Sequence, residues 1–446
     1  MDEARNPMTR LVSRAWDQAK TPLYRNAFFI MLTGVITNGL GFLFWFLVAH
    51  EYKDADIGAA VTLFQVLGFL GTLANLGLGI GLIRYMPEAE DKTALLNISL
   101  TLTAFVSLLL GLVFLVGLPV WIPDLSFVLQ EPLYILTILV CTVVLGLSVV
   151  LDYASIAIRR AEVQTWRNAV FSILKIPLAI GLVYFLPGRA GVFLAMAFAV
   201  GVSVVITGIV HLPRTIPDYR PRPALRLDPI RPVLRFSLGN YAAATIAAAG
   251  YLLPAPLIFA VLGSNAGAVN AAYFYVALIV ASLLYFIPTA TFTSLLAESS
   301  QENADRRHDE RHAILLSIAL LIPGIVFMWI FSAPLLQLFG PGFASRAVTP
   351  LRILAIGSVP VFLSGIYTTR VRVQKRTRPL IVSAAITTGI TLGLGWFLLH
   401  DPGLRIDGLA YAYLVGQAAA IPYLIYEARN ASKTRPSEPN PGQGLS

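Results

Sequence analysis

The 446-residue sequence is 57% hydrophobic and 13% charged, with a mean hydropathy of +0.73, whereas a soluble domain carries roughly 25% charged residues. Composition therefore excludes a water-soluble fold and leaves one membrane domain with a polar tail. The net charge of +9 does not point to nucleic acid, because the basic residues fall in short segments between apolar runs, where they write membrane topology.

The first apolar run follows some 26 mostly polar residues. That layout differs from a cleaved signal peptide, so the first span is expected to stay in the protein. Windows of roughly twenty apolar residues predict spans at 27–49, 57–83, 94–118, 133–157, 169–186, 190–211, 233–262, 268–296, 313–333, 351–368, 379–399 and 408–426. The chain thus reads as an all-α integral membrane protein of about twelve transmembrane helices. It divides into an N-terminal segment 1–26, a six-helix lobe 27–212, a linker 213–232, a second six-helix lobe 233–427 and a tail 428–446. The tail has the proline-rich polar composition of a disordered segment.

Lys and Arg test this map independently. Of the 33, 27 lie on the side of the N-terminus, only Lys53, Arg189, Arg346 and Arg405 lie on the other, and Lys175 and Arg352 fall inside spans. Since positive charge collects in cytoplasmic loops, the map places the chain in the cytoplasmic (inner) membrane with both termini cytoplasmic. The linker is rich in Pro and Arg and splits the spans evenly. Arg159-Arg160-Ala161-Glu162-Val163-Gln164 after the fourth span is echoed by Arg370-Val371-Arg372-Val373-Gln374 after the tenth, an offset of about 210 residues. Two halves that both start on the cytoplasmic side form a parallel repeat, with a pathway expected between them.

Polar residues inside apolar spans face other helices or an internal cavity. Three stripes recur at helical spacing: Asn26, Thr33 and Thr37, with Asn38 beside them, in the first span; Thr62, Gln65, Thr72 and Asn75 in the second; and Ser237, Asn240, Tyr241 and Thr245 in the seventh. They are expected to line one cavity between the lobes, or else to hydrogen-bond between helices. Asp152 and Lys175 lie roughly 8 and 10 Å from the cytoplasmic ends of the fourth and fifth spans at 1.5 Å per residue. They are expected to meet, either as a structural ion pair or with Lys175 on an anionic head group and Asp152 tuning it or carrying a coupling proton. Arg84 and Arg235 stand at the cytoplasmic mouth, and Arg352 is the external counterpart. All three have snorkelling as the alternative reading. Pro254 and Pro256 should bend the outer half of the seventh span most. The single cysteine, Cys141, excludes a disulfide or multi-cysteine metal site, and nothing calls for a cofactor.

Arg25-Asn26-Ala27-Phe28, the loop Tyr52-Lys53-Asp54-Ala55-Asp56-Ile57-Gly58-Ala59-Ala60 and the run Ala74-Asn75-Leu76-Gly77-Leu78-Gly79-Ile80-Gly81-Leu82-Ile83-Arg84-Tyr85-Met86-Pro87 resemble the polysaccharide-transporter (Wzx-like) family of the multidrug/oligosaccharidyl-lipid/polysaccharide exporter superfamily. The resemblance implies two six-helix lobes in a MATE-like arrangement and flipping of polyprenyl-pyrophosphate-linked oligosaccharide by alternating access, for cell-surface polysaccharide biosynthesis. It also implies membrane lipids, and the polymerase and glycosyltransferases of one pathway, as partners. On that reading Arg84, Lys175 and Arg235 meet the pyrophosphate in a cationic cavity, while Asn38, Gln65, Asn75, Asn240 and Tyr241 meet sugar hydroxyls. One rival is a cation-coupled drug antiporter of the same superfamily, which usually places a carboxylate in the first or seventh span, where this chain has none. Another is an unrelated solute carrier with two six-span halves. The third is a membrane glycosyltransferase using Glu51, Asp54 and Asp56 of the first external loop, although no metal-spaced His/Cys cluster, P-loop or nucleophile elbow accompanies them.

Overall fold

A computed structural model describes residues 22–186, 188–217, 219–224, 230–298, 306–373 and 376–433. The expected N-terminal segment up to residue 21, the centre of the linker, Gln374 of the second repeat motif with Lys375 after it, and the tail from residue 434 lie outside the described residues. So does the side chain of Asn26.

In the first half, α1 (Pro22–Glu51), α2 (Asp54–Ala74), α3 (Leu78–Tyr85), α4 (Lys92–Trp121), α5 (Pro132–Ala157), α6 (Ala161–Phe185), α7 (Arg189–Ile206) and the one-turn α8 (Leu212–Thr215) follow one another. The second half contains α9 (Arg231–Leu252), α10 (Pro254–Leu262), α11 (Ser264–Glu298), α12 (Arg306–Gln337), α13 (Pro341–Arg346), α14 (Val348–Val373), α15 (Arg378–Leu399) and α16 (Arg405–Lys433). Eleven helices are long and apolar enough to cross a membrane, and the bent pair α9–α10 makes twelve. Helices satisfy their own backbone groups, which hydrocarbon requires.

The ends follow local chemistry. Asp91 accepts a hydrogen bond from the Ala94 amide at 2.8 Å and caps α4, satisfying a free N-terminal donor. Pro132, Pro254 and Pro341 sit in first turns, where no amide partner is lost. Pro254 also enforces the 49° bend between α9 and α10, where the sequence placed it. α16 continues to Lys433, past residue 428 where the tail was expected to start, because Glu427, Ala428, Arg429 and Ala431 favour helix.

The two halves repeat one pairing pattern. In the first, α1 packs on α6, α2 on α5, and α7 on both α5 and α6; in the second, α9 packs on α15, α11 on α14, and α16 on both α14 and α15. The described part of the linker is strapped to α4: Asn97 donates to the Arg220 carbonyl at 2.8 Å, and the Ala224 amide donates to Thr101 at 3.1 Å. The main contacts across the seam run through the first two spans of each half, α1, α2 and α3 against α9, α10 and α11. The outer surface of α4 exposes Phe105, Leu109, Leu112, Val113 and Val116, an apolar face suited to lipid.

Candidate substrate site at the seam of the two halves

The seam is built from two breaks and two close approaches. Toward the face on which α1 begins, the second span stops at Asn75 and restarts at Leu78, because Leu76 and Gly77 take left-handed φ values of 51° and 80°. Glycine is needed at 77 for a second reason: a Cβ there would lie 2.8 Å from Ser237 Cβ and 2.9 Å from Tyr241 Cβ of α9. At the break the Leu73 carbonyl, which takes the Leu76 amide at 3.4 Å, also accepts the Tyr241 hydroxyl at 2.5 Å. The Asn75 side-chain oxygen accepts the Gly79 amide at 3.1 Å, while its buried Nδ2 has no partner. Toward the opposite face, a Cβ at Gly58 would fall 1.7 Å from the Ala268 carbonyl oxygen of α11. Nearby, Tyr273 donates to Asp54 at 2.7 Å. The halves therefore touch near both faces.

Two openings adjoin the α3–α9 seam. A groove of about 450 Å³ at the face where α9 begins is lined by Tyr85, Arg231, Pro232, Arg235 and Phe236, with Tyr85 edge-on to Phe236 at 5.7 Å. Deeper, α9, α14, α15 and α16 enclose a cavity of about 540 Å³, closed on the first half by Ile80 and Tyr153. Its polar lining includes Asn240, Thr368, Thr387 and Gln417, and none of its described lining residues is charged. Arg235 lines the groove, and Asn240, five residues and roughly 7.5 Å further along α9, lines the cavity.

This arrangement corrects several expectations. The three polar stripes do not converge on one cavity. Thr33 bonds Thr165 and the Phe29 carbonyl, both at 2.8 Å, and Asn38 donates to the Gly34 carbonyl of its own helix at 2.8 Å. Gln65 and Thr62 are buried within α2's packing, and Tyr241 is spent on the α2 break. Asn240 alone among the predicted residues lines the described cavity. Helical spacing sets a shared face, but that face can point at a neighbouring helix as well as at open space. The cavity is also neutral rather than cationic among its described residues. Arg84 is exposed next to Tyr85 of the groove, Arg235 lines that groove, and Lys175 lies elsewhere.

Asp152 and Lys175 do not pair. Asp152 takes a two-pronged guanidinium contact from Arg167, with Nε at 2.7 Å and Nη2 at 2.5 Å. Arg167 was counted among the cytoplasmic charges. α6 starts at Ala161 rather than 169, so Arg167 is held inside the helix and only 5% exposed. Lys175 is equally buried, with its ammonium 4.8 Å from the ring centres of both Phe44 and Phe171. Among the described residues no carboxylate pairs with it. One turn further along α6, the Tyr52 hydroxyl donates to the Ala179 carbonyl at 2.6 Å. Burial, with Glu51 adjoining, pushes that phenol up to about 12, so it stays a donor and straps the α1–α2 turn to α6.

Arg352 is anchored to Ser332 at 2.9 Å and lies over the Trp329 ring, a packing role. Asp54 and Asp56 occupy the first turn of α2, where carboxylates favour the helix N-terminus. No cluster of His, Cys, Asp and Glu able to hold a metal occurs among the described residues. Arg231 was counted only as a cytoplasmic charge; Thr387 and Gln417 went unremarked in the sequence. The last two carry the same signal as the stripes that were noticed, a polar side chain within an apolar span.

The family model described as "Polysaccharide biosynthesis protein" matches residues 23–292. No curated protein matches the chain in sequence. Among solved structures, the chain is similar to an inward-facing multidrug resistance MATE family transporter of the MOP superfamily, at TM-score 0.64 and 14% identity over 92% of this chain and 96% of that one. An outward-facing MATE transporter aligns at TM-score 0.61 and 16% identity, over 93% and 97%. A MOP superfamily transporter from Pyrococcus furiosus, described as having a binding pocket of reverse polarity, aligns at 0.59 and 13%, over 92% and 95%. The chain has the fold of these transporters, and this multi-pass membrane chain belongs to the polysaccharide biosynthesis protein family.

Proposed function

We propose that the protein is a flippase that carries a polyprenyl-pyrophosphate-linked oligosaccharide from the cytoplasmic to the outer leaflet of the cytoplasmic membrane. The observation that supports this most is a basic groove beside the seam together with an uncharged cavity in the second half whose lining carries hydroxyl and amide groups. A pyrophosphate leaving water needs positive partners, because an uncompensated charge in a low-dielectric site is costly. Arg231 and Arg235 supply guanidinium groups suited to phosphate oxygens, and Tyr85 and Phe236 give the adjoining apolar carrier a surface.

A drug–cation antiporter is disfavoured by the same geometry. Spans 27–49 and 233–262 contain no carboxylate, and none of the described residues lining the groove or the cavity is an acid that would hold a cationic cargo. A glycosyltransferase reading is weakened, since Asp54, one of the three carboxylates of its acidic loop, is engaged by Tyr273.

Removing the protein should make lipid-linked oligosaccharide accumulate on the cytoplasmic leaflet, and a copy carrying Arg231→Gln and Arg235→Gln should fail to clear it. Unchanged lipid pools together with lost efflux of a small organic cation would favour the antiporter.

A further inference from the structure

We propose that the cavity between α9, α14, α15 and α16 is a saccharide subsite selective for uncharged sugar residues. The proposal rests on the flippase reading and specifies which cargo the second half accepts. At about 540 Å³ the space lies in the range of small-molecule pockets, roughly 300–1,000 Å³.

Its lining mixes apolar residues with hydroxyl and amide groups. Asn240, Thr387 and Gln417 line it together with the rings of Tyr251 and Tyr413, and none of the described lining is charged. Hydroxyl and amide side chains both donate and accept hydrogen bonds, whereas Lys and Arg only donate and carboxylates only accept. A sugar ring presents hydroxyls that do both, and its C–H face packs on an aromatic ring. Tyr413 is already backed by Tyr285, stacked at 6.2 Å and 16°, so the wall is stiff.

The cavity also holds an unmet need. The Ser364 oxygen is buried there without a hydrogen-bond partner, and such an atom costs about 1–3 kcal/mol until something satisfies it. An acyl or prenyl chain would leave that group unsatisfied; a hydroxylated ligand would not. A uronic acid or other anionic sugar would bring a charge into a space whose described lining offers none to oppose it, at high desolvation cost. Ala243, Ala244 and Ala247 keep the α9 wall low enough for a ring to approach.

The test uses the full-length protein in lipid nanodiscs and three probes: polyprenyl pyrophosphate alone, the same carrier with a neutral trisaccharide, and the same carrier with one hexose replaced by a hexuronic acid. The neutral glycolipid should bind at least about tenfold more tightly than the other two, a difference of about 1.4 kcal/mol. Gln417→Glu, and separately Thr387→Val, should erase that advantage. Equal affinity for the neutral and acidic glycolipids would overturn the subsite while leaving the flippase reading standing, as would equal affinity for the neutral glycolipid and the bare carrier. Binding of none of the three would overturn both.

Discussion

Asp152 and Arg167 form the one described ion pair whose cation is nearly sealed from its surroundings, at 5% exposure. Removing one partner of such a pair strands the other, at a cost of about 3–5 kcal/mol. Arg167→Met should therefore lower the unfolding temperature in detergent markedly, and Asp152→Leu combined with Arg167→Met should recover most of the loss. A double variant as unstable as the sum of the singles would show that the residues act independently. Lys175 calls for the opposite outcome. Its ammonium is buried against two rings with no described counter-ion, so Lys175→Met should unfold at an equal or higher temperature. If the ammonium meets an anionic part of the cargo in another state of the transporter, the same variant should flip about tenfold more slowly and Lys175→Arg should retain part of the rate. Undiminished flipping in Lys175→Met would remove it from the path. The sequence marked Asp152 and Lys175 as expensive charges, which they are. It could not choose their partners, because the choice depends on where α6 begins: starting at Ala161 brings Arg167 inside, beside Asp152.

At the scale of elements, the places where helices break or touch bear on transport. Alternating access requires contacts near one face to part while those near the other hold. Gly58 and Gly77 occupy these two positions, one against Ala268 and the other against Ser237 and Tyr241. Gly58→Ala leaves the backbone conformation of α2 unchanged but puts a methyl into the Ala268 carbonyl. It should push α2 from α11 and lengthen the distance between spin labels at Lys53 and Asn270; Cys141, being buried, should not compete for the label. An unchanged distance would mean that the two helices yield elsewhere and that this contact does not control the opening. Gly77→Ala adds the strain of a left-handed φ to a steric clash, and should lower stability by about 1 kcal/mol or more. The bend at Pro254 was legible because proline carries its consequence in its own ring. The break at Leu76–Gly77 was not, since the run from Ala74 to Met86 reads as one apolar helix and only packing against α9 reveals the need for a turn.

For the whole molecule, hydropathy and the offset of about 210 residues anticipated the twelve spans and the parallel repeat, which the matched pairings of α1–α6 with α9–α15 and of α2–α5 with α11–α14 express. Those features are periodic along the chain and can be read locally. The interior is different: a seam closed near both faces, a basic groove and a neutral cavity displaced into the second half replace the single cationic gap expected from the sequence. Which face of each helix meets which neighbour depends on all twelve at once. The distribution of Lys and Arg supports cytoplasmic termini, and a reporter fused after Lys433 should be reachable only from the cytoplasm. The most direct measurement is reconstitution of the purified protein in liposomes holding a neutral, fluorescently tagged polyprenyl-pyrophosphate oligosaccharide, with a membrane-impermeant quencher following exchange between leaflets. The account expects vesicles with protein to exchange the glycolipid many times faster than empty vesicles, and the Arg231→Gln, Arg235→Gln variant to approach the empty-vesicle rate. Identical rates with and without protein, across imposed ion gradients of either sign, would contradict it.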